Sequence, residues 1–350
     1  MRSTKDVPPL GPRDRQRRAL LERAAALGAL GPAALIPAAT RAAAGWLPSK
    51  QITYVISVAP GGSVDLYARA IKQLLESKQL VNGQTVLAEN RPGAAGLLTF
   101  QIMQRNAGDA HFLSTFHTGG IAGSVSGALK ADIRELTPVA MMVEESTFAV
   151  VNAASDIHTP KDLLERFRRD PAALRIAVAP AIGQNTHLAI AKPLKAAGID
   201  VRKLTVAPFR SSGDSMTALV GGHVDVVSAT GPAILPHLAS GRVRPVVTVA
   251  RERAGAPFDK VPTWRESGVA ADYVSYNGVQ LPRGVTVDQI RFWEQALRRV
   301  SESTEWRDLV TKSGNKPVFL GYVDSRRYVE DEYKATETLF AELGLAGVGK

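Results

Sequence analysis

The sequence contains no cysteine among its 350 residues. This absence excludes disulfide bonds, thiolate metal sites, a cysteine nucleophile and a lipid-modified N-terminal cysteine. Aromatic residues make up only 6% of the chain, and no zinc-finger, RNP-type or basic-zipper pattern occurs. A net charge of +10 therefore does not indicate nucleic-acid binding, and we expect no nucleic-acid partner.

Long apolar runs are also lacking. Beyond residue 44, no stretch reaches the roughly 18 uninterrupted apolar residues that a membrane span needs. Hydrophobic residues make up 45% and charged residues 22% of the chain, which is typical of a globular protein. The length allows one large domain or two ordinary ones, each with a full core.

The patterns of known catalytic and metal sites are missing as well. The six histidines show no HxH or HExxH spacing, and no G-x-S-x-G motif occurs. The glycine pair in "APGGSVD" (59–65) lacks the lysine of a phosphate-binding P-loop and the third glycine of a dinucleotide loop. His117 or His187 could act as a base, but each is more typical of a loop or core histidine. We therefore expect no catalytic residue, no metal site and no cofactor.

The N-terminal segment has the three parts of an export signal. The basic stretch "RDRQRRALLER" (13–23) precedes a weakly apolar run and a small-residue end, Ala42-Ala43-Ala44. The pair Arg17-Arg18 resembles the twin-arginine type of signal. Residues 1–44 are predicted to be a twin-arginine-like signal that is cleaved near Ala44, which implies a periplasmic location.

The rest of the chain alternates short β-type runs with helical patterns, which predicts an α/β fold with largely parallel sheets. Residues 139–155 read as one long extended segment. We predict two lobes, 45–148 plus 276–350 and 149–275, with crossovers near 145–151 and 274–279. A ligand cleft is expected at the crossovers.

Several predicted strands end in loops rich in Gly, Ser, Thr and Asn. These ends read "APGGS", "HTGG", "PAIGQNTH", "FRSSG" and "SATGP". In open α/β sheets, ligands bind beyond the carboxyl ends of the strands. After the first strand, Ser63 is placed as the N-cap of a helix over 64–77 and Asp65 in its first turn. The glycines let an anion approach the helix start, or they merely turn the chain; the motif alone supports both interpretations equally.

Five blocks in order resemble the extracytoplasmic solute-binding proteins of the tripartite tricarboxylate transporters, also called the Bug family. They are "ITYVISVAPGGSVDLYARAI" (52–71), "VLAENRPGAAG" (86–96), "FRSSGDSMTALVGGHVDVV" (209–227), "LASGRVRPVVTVARER" (238–253) and "VPTWRESG" (261–268). The resemblance covers about residues 50–345. It implies a type II periplasmic-binding-protein fold without catalytic activity, in which two α/β lobes hold a small carboxylate in the cleft between them.

The resemblance also implies which residues meet the ligand. The family's carboxylate lies at the loop matching Pro60–Ser63, and loops of the second lobe close over the rest. The implied ligand-binding residues are Pro60, Gly61, Gly62, Ser63, Asp65, Thr118, Gly119, Gln184, Asn185, Thr186, Arg210, Ser211 and Ser212. Among them, Thr118 and Gly119 are placed on a loop of the first lobe, and Arg210 is a bidentate partner for a second carboxylate or a solvated strand-end arginine.

The chain departs from the family pattern beside the ligand. Val58-Ala59 stand where the family commonly has an aromatic residue and a second proline, and Ser211 replaces a usual glycine. These differences concern the identity of the solute more than the fold. The sequence predicts an exported monomer that captures a small organic carboxylate and delivers it to integral membrane transporter components. An exported enzyme acting on a carboxylate in the same cleft, or a ligand-sensing partner of a signalling protein, remains an alternative.

Overall fold

The computed structural model describes residues 45–343, within which strands and helices alternate. The strands are β1 (Ile52–Ile56), β2 (Val86–Asn90), β3 (Phe112–His117), β4 (Thr137–Glu145), β5 (Thr147–Asn152), β6 (Arg175–Val178), β7 (Thr205–Pro208), β8 (Val226–Thr230), β9 (Val243–Thr248), β10 (Ser275–Leu281) and β11 (Lys316–Leu320). The helices are α1 (Ser63–Ser77), α2 (Leu97–Arg105), α3 (Thr118–Ser126), α4 (Pro160–Arg169), α5 (Asn185–Ala196), α6 (Ser212–Val220), α7 (Gly231–Ala239), α8 (Val287–Glu302), α9 (Thr304–Lys312) and α10 (Tyr322–Leu343). The predicted export signal lies outside the described residues.

The strands form two sheets, which define two lobes. The six-stranded sheet of the first lobe has the order β11-β4-β10-β3-β1-β2, and the five-stranded sheet of the second lobe has the order β7-β6-β8-β5-β9. Strand β1 runs parallel to β2 and β3, and β6 runs parallel to β7 and β8. The other pairings are antiparallel. The prediction of largely parallel sheets is therefore wrong, because strands on either side of a crossover do not follow the βαβ unit that keeps neighbours parallel.

Local sequence signals account for the helices. In α1 the buried residues Tyr67, Ala68, Ile71, Leu74 and Leu75 recur at helical spacing and pack on the first sheet. Helices α4 and α8 each begin with a capping box, in which a threonine and a residue three positions later exchange hydrogen bonds. Helix α9 and strand β11 were missed by the sequence reading, which left residues 303–324 without elements.

The chain crosses between the lobes at Ser146. The segment predicted as one extended run is two strands, β4 and β5, which lie in different sheets. Between them, the N–H of Ser146 donates to Oδ1 of Asn315 at 2.8 Å. The return crossing lies well beyond the end of β9. Tyr273 still packs in the second lobe, and Ser275 is the first residue of β10. The chain therefore passes between the two sheets near residues 146 and 274.

The C-terminal helix α10 contacts both lobes. Val329 packs in an apolar cluster with α2, α3 and β4 of the first lobe. Farther along the helix, Phe340 and Leu343 pack in the cluster around α4, α5 and β6 of the second lobe. The boundary predicted from the sequence assigns this helix to the first lobe alone, whereas its contacts span the two.

Within residues 45–343, none of the helices combines the length and the apolar character needed to cross a membrane.

Candidate functional site

Five strands lead directly into helices whose first turns lie at the carboxyl ends of the sheets. The pairs are β1–α1, β3–α3, β6–α5, β7–α6 and β8–α7. These junctions are the five strand ends that the sequence marks as rich in Gly, Ser, Thr and Asn. Helices α3 and α5 approach each other across the lobe boundary, as do α1 and α7. The junctions of both lobes therefore meet in one region.

Most of these helix starts lack a side-chain cap. The N-cap residues of α1, α3, α5 and α7 are Gly62, His117, Gln184 and Thr230, and none of them forms a capping hydrogen bond through its side chain. Helix α6 differs, because Oγ of Ser211 accepts from the N–H of Asp214 at 3.1 Å. Uncapped N–H groups and the helix dipole favour an anion. Four helix starts thus keep backbone donors for another molecule.

The turn before α1 is open to approach. Gly61 has φ +96°, a left-handed conformation that favours glycine. A Cβ atom added to Gly61 or Gly62 would meet no atom within 4 Å. Gly62 is the N-cap and Ser63 the first helical residue, so the prediction of Ser63 as N-cap is wrong by one position. Pro60 is exposed beside the turn.

Asp65 holds this turn in place. Its carboxylate accepts from the N–H of Gly61 at 3.3 Å, from Nε of Arg69 at 3.0 Å and from Nδ2 of Asn90 at 2.8 Å. Burial alone would raise the pKa of Asp65, but the hydrogen bonds from Arg69, Asn90 and Gly61 outweigh it and lower the pKa. The carboxylate therefore supports the glycine turn by contacts within the protein.

Thr118 and Gly119 open helix α3, and their prediction as loop residues is wrong. Oγ1 of Thr118 accepts from the N–H of Tyr276 at 2.9 Å and lies 2.7 Å from the hydroxyl of Tyr328. A Cβ on Gly119 would lie 2.9 Å from Nδ1 of His117 and 3.6 Å from Cβ of Asn185. The small residue lets α3 approach α5 of the other lobe.

Gln184 and Asn185 bring unpaired polar groups to the lobe boundary. Gln184 is 1% exposed, and neither its side-chain nitrogen nor its oxygen has a hydrogen-bond partner. Nδ2 of Asn185 donates to Oγ of Ser275 in the first lobe at 3.3 Å, whereas its Oδ1 has no partner. Thr186 differs, because its Oγ1 donates to the carbonyl of Ala179 at 2.8 Å and so fixes the β6–α5 loop.

The remaining predicted residues lie at the start of α6. Arg210 is exposed, and within residues 45–343 it forms no ion pair within 4.0 Å. Ser211 caps α6 as described above, and Ser212, which is half-buried, is its first helical residue. Within residues 45–343, no side-chain hydrogen bond or ion pair joins these three to another predicted site residue.

Glu145 and Asn277 belong to this region and were missed by the sequence reading. In the antiparallel pairing of β4 with β10, Glu145 lies opposite Ser275 and Asn277 opposite Val143, so the four share a face of the sheet. Glu145 is 6% exposed and its Oε1 has no partner; Asn277 is 4% exposed, with both side-chain polar atoms unpaired. An acid in the apolar run "VAMMVEESTFAVV" was the available signal, because an unpaired acid is rarely buried.

Burial raises the pKa of Glu145 to about 7, although the facing side chains of Ser63 and Asn277 act in the opposite direction. Those two side chains lie close to the carboxyl, but neither forms a hydrogen bond with its Oε1. The acid therefore stands at the start of α1, and its Oε1 has no partner among the described residues.

Unpaired buried polar groups concentrate here. Buried polar groups in folded proteins are nearly always hydrogen-bonded to protein, water or ligand. The residues of this region that depart from the rule are Glu145, Thr147, Gln184, Asn185 and Asn277. They come from both lobes, as a ligand held between the lobes requires.

The two histidines considered as bases are held neutral. Burial lowers the pKa of His117 and of His187 to about 4. Nδ1 of His187 accepts from the N–H of Gly183 at 3.0 Å, a contact that orders the β6–α5 loop. Among residues 45–343, no group of three or more His, Asp or Glu side chains is arranged to hold a metal ion.

Comparison with known sequences identifies related proteins along most of the chain. A family profile described as "Tripartite tricarboxylate transporter family receptor" matches residues 68–345. A Cupriavidus necator protein, "UPF0065 protein in gbd 5'region", is 28% identical over 335 residues, which covers 95% of this chain and 99% of that one.

Comparison with solved structures shows the same fold. A protein of R. palustris solved with adipate superposes with a TM-score of 0.77 at 24% identity, covering 85% of this chain and 99% of that one. The periplasmic binding protein BugD superposes with a TM-score of 0.76 at 19% identity, again covering 85% and 99%. The two-lobed architecture predicted from the sequence is confirmed.

Proposed function

The chain belongs to the tripartite tricarboxylate transporter receptor family, and from that membership we propose that it is an exported protein that captures a small organic carboxylate between its lobes. It then delivers this solute to a membrane transporter. The observation that carries the proposal is the set of uncapped helix starts beside unpaired buried side chains from both lobes. Backbone N–H groups at these helix starts are suited to a carboxylate, and the amides of Gln184, Asn185 and Asn277 to its other polar groups.

Capture follows from the position of these groups. Ser63 and Asn277 belong to the first lobe and Gln184 and Asn185 to the second, so a ligand touches all four only when the lobes are together. A ligand that interacts with both lobes stabilises the closed state over the open one. The closed state is then the form that a transporter recognises.

We infer that the site binds without catalysis. Burial lowers the pKa of His117 and of His187 to about 4, and solute-binding is the role of the family. We further propose that the mature protein is a periplasmic monomer, released from residues 1–44 near Ala44. Turnover of the bound carboxylate at substoichiometric protein would contradict the binding role.

Native mass spectrometry of freshly purified protein tests the proposed function, because a site buried between lobes retains its ligand. We expect one small carboxylate per chain. Added back to ligand-free protein, it should stabilise the fold by RT ln(1 + [L]/Kd). A library of carboxylates that leaves the melting temperature unchanged would refute the proposal.

Gly62→Val tests the position of the anion. The new side chain meets no protein atom within 4 Å at its Cβ, so it occupies the space that a ligand needs. We expect affinity to fall at least about 10-fold, while the free protein loses only about 1 kcal/mol through the poorer N-cap. Gly255→Val is the matched control. Gly255 lies in an exposed loop, and a Cβ added to it would make an ordinary contact of 3.6 Å with Cγ2 of Thr311. Equal affinities of the two variants would place the anion elsewhere.

A further inference from the structure

Glu145 gives the site a feature that the capture of a simple carboxylate does not explain. Its carboxyl is buried at the start of α1, where the proposed function places the ligand's own carboxylate. Two carboxylates side by side repel each other, and the helix start can stabilise only a limited negative charge. The site therefore needs a further positive charge or donor.

The protein itself does not supply that charge. Within residues 45–343, no Lys, Arg or His nitrogen lies within 4.0 Å of the Glu145 carboxyl. The groups that face it are the neutral side chains of Ser63 and Asn277, and the charge of Glu145 also acts on the neutral Tyr67. Buried carboxylates are normally paired with a cation or a set of donors.

The unpaired atoms of Glu145 and of the lobe boundary include several acceptors. They are Oε1 of Glu145, Oδ1 of Asn277, Oδ1 of Asn185 and Oε1 of Gln184. The amide nitrogens of Gln184 and Asn277 are unpaired as well, so each amide can turn either end to a ligand. A ligand that carries only carboxylates brings acceptors alone and leaves these oxygens without partners. A ligand ammonium brings three donors and a positive charge.

We propose that the site takes a ligand with an ammonium group on the carbon next to its carboxylate, a 2-amino acid. The start of α1 binds the carboxylate, and Glu145 accepts the ammonium. This inference rests on the proposed function and narrows its ligand class. Ser63, the first residue of α1, faces Glu145 directly, so the two subsites are adjacent, as are the two groups of a 2-amino acid.

Matched ligand series test the inference on the wild-type full chain. Each series keeps one carbon chain and changes one substituent: aspartate, malate, succinate; glutamate, 2-hydroxyglutarate, glutarate; alanine, lactate, propionate. The other common amino acids and adipate complete the panel. By calorimetry and thermal shift, we expect an amino member to bind at least about 30-fold more tightly than its unsubstituted partner, as loss of a buried charge pair implies.

Glu145→Gln keeps the shape of the side chain and removes its charge. We expect this variant to lose about 30-fold or more in affinity for the amino member, and to bind the unsubstituted acid as well as before or better. Glu144→Gln is the control, because this half-buried neighbour points to the other face of β4 and should leave the preference intact.

The outcomes separate the inference from the proposed function. If adipate or an unsubstituted acid binds as tightly as any amino acid, the inference is wrong while carboxylate capture stands. The inference is also wrong, and carboxylate capture also stands, if an unsubstituted acid binds with uptake of a proton, because Glu145 would then be a protonated donor. If Glu145→Gln leaves the ligand order unchanged, Glu145 is not the ammonium acceptor. If no carboxylate of any class binds, both proposals fail.

Discussion

Two buried carboxyl groups beside the helix start of α1 differ in what surrounds them. Asp65 accepts hydrogen bonds from Gly61, Arg69 and Asn90, and its pKa is lowered. The carboxyl of Glu145 has no cation, and burial raises its pKa to about 7. The first group supports the turn that presents the backbone, and the second is the group that we propose for contact with a ligand.

Asp65→Asn should destabilise the protein by about 2 kcal/mol, the usual contribution of hydrogen bonds to a charged group. Because the pKa of Asp65 is lower in the folded state, its contribution is present above its unfolded pKa and is lost as pH falls through the folded value. Urea unfolding at pH 7 and at decreasing acid pH measures this. The difference between wild type and variant should shrink below about pH 4.

Glu145→Gln is the internal control, because its effect on stability should change with pH in the opposite direction. A raised pKa means that the folded protein holds the proton more tightly, so stability falls as pH rises from the unfolded value of 4.5 towards about 7. The variant should gain stability relative to wild type over that interval. If both substitutions changed stability in the same direction with pH, the assignment of the two carboxyls would be wrong.

Among the helices and strands, α10 has a role that its sequence does not indicate, which is to contact both lobes. The sequence predicted a helix over 325–343 from its periodicity, but periodicity does not reveal that one end packs on each lobe. Phe340 is buried in the second lobe, where its ring lies 3.2 Å from a Cβ added to Gly183 of the β6–α5 loop. The helix therefore orders the loop that precedes Gln184.

Phe340→Ala should cost about 3–4 kcal/mol in stability, as expected for a large-to-small change in a core. It should also weaken ligand binding beyond the loss of stability, because the β6–α5 loop loses its support. Glu337→Ala, on the exposed face of the same helix, is the control and should change neither quantity. Thermal unfolding and calorimetry measure the two effects separately. Unchanged affinity of the folded Phe340→Ala protein would show that α10 does not influence the site.

Particular elements show what the sequence could reveal. The hydrophobic periodicity of α1, α4 and α8 could be recognised in the sequence, because each helix buries one face and has polar residues on the opposite face. Helix α3 was missed because "HTGGIAGSVS" is rich in glycine and almost wholly buried, so it has no polar face to mark the period. Glu145 was missed because its importance depends on which strand lies beside it, and strand order is a long-range property.

At the scale of the whole molecule, the lobes are in direct backbone contact. Gly231 begins α7 in the second lobe, and a Cβ added there would overlap the carbonyl oxygen of Ser313 in the first lobe. Oγ of Ser313 lies 2.7 Å from the hydroxyl of Tyr67, and Asn315 connects Tyr67 to the crossover at Ser146. Closure thus brings a glycine against a fixed carbonyl.

Gly231→Ala should act as a wedge between the lobes. Opening relieves the clash without breaking either core, so we expect a folded protein with a larger radius of gyration and at least about 10-fold weaker ligand binding. Small-angle scattering and calorimetry check the two quantities. Gly213→Ala is the matched control near the start of α6, where the added Cβ makes an ordinary contact of 3.6 Å with Oγ of Ser211. If the Gly231→Ala variant bound ligand with normal affinity, the lobes would close without this contact.

The chain joins its lobes three times: at Ser146, at Val274, and along α10. Two short connections side by side define an axis, about which one body can rotate while translation and twist are blocked. The helix is a third, rigid link that limits how far the rotation proceeds. The relative motion of the lobes therefore has close to one degree of freedom. A single distance between two spin labels, one on each lobe, should suffice to describe the whole opening.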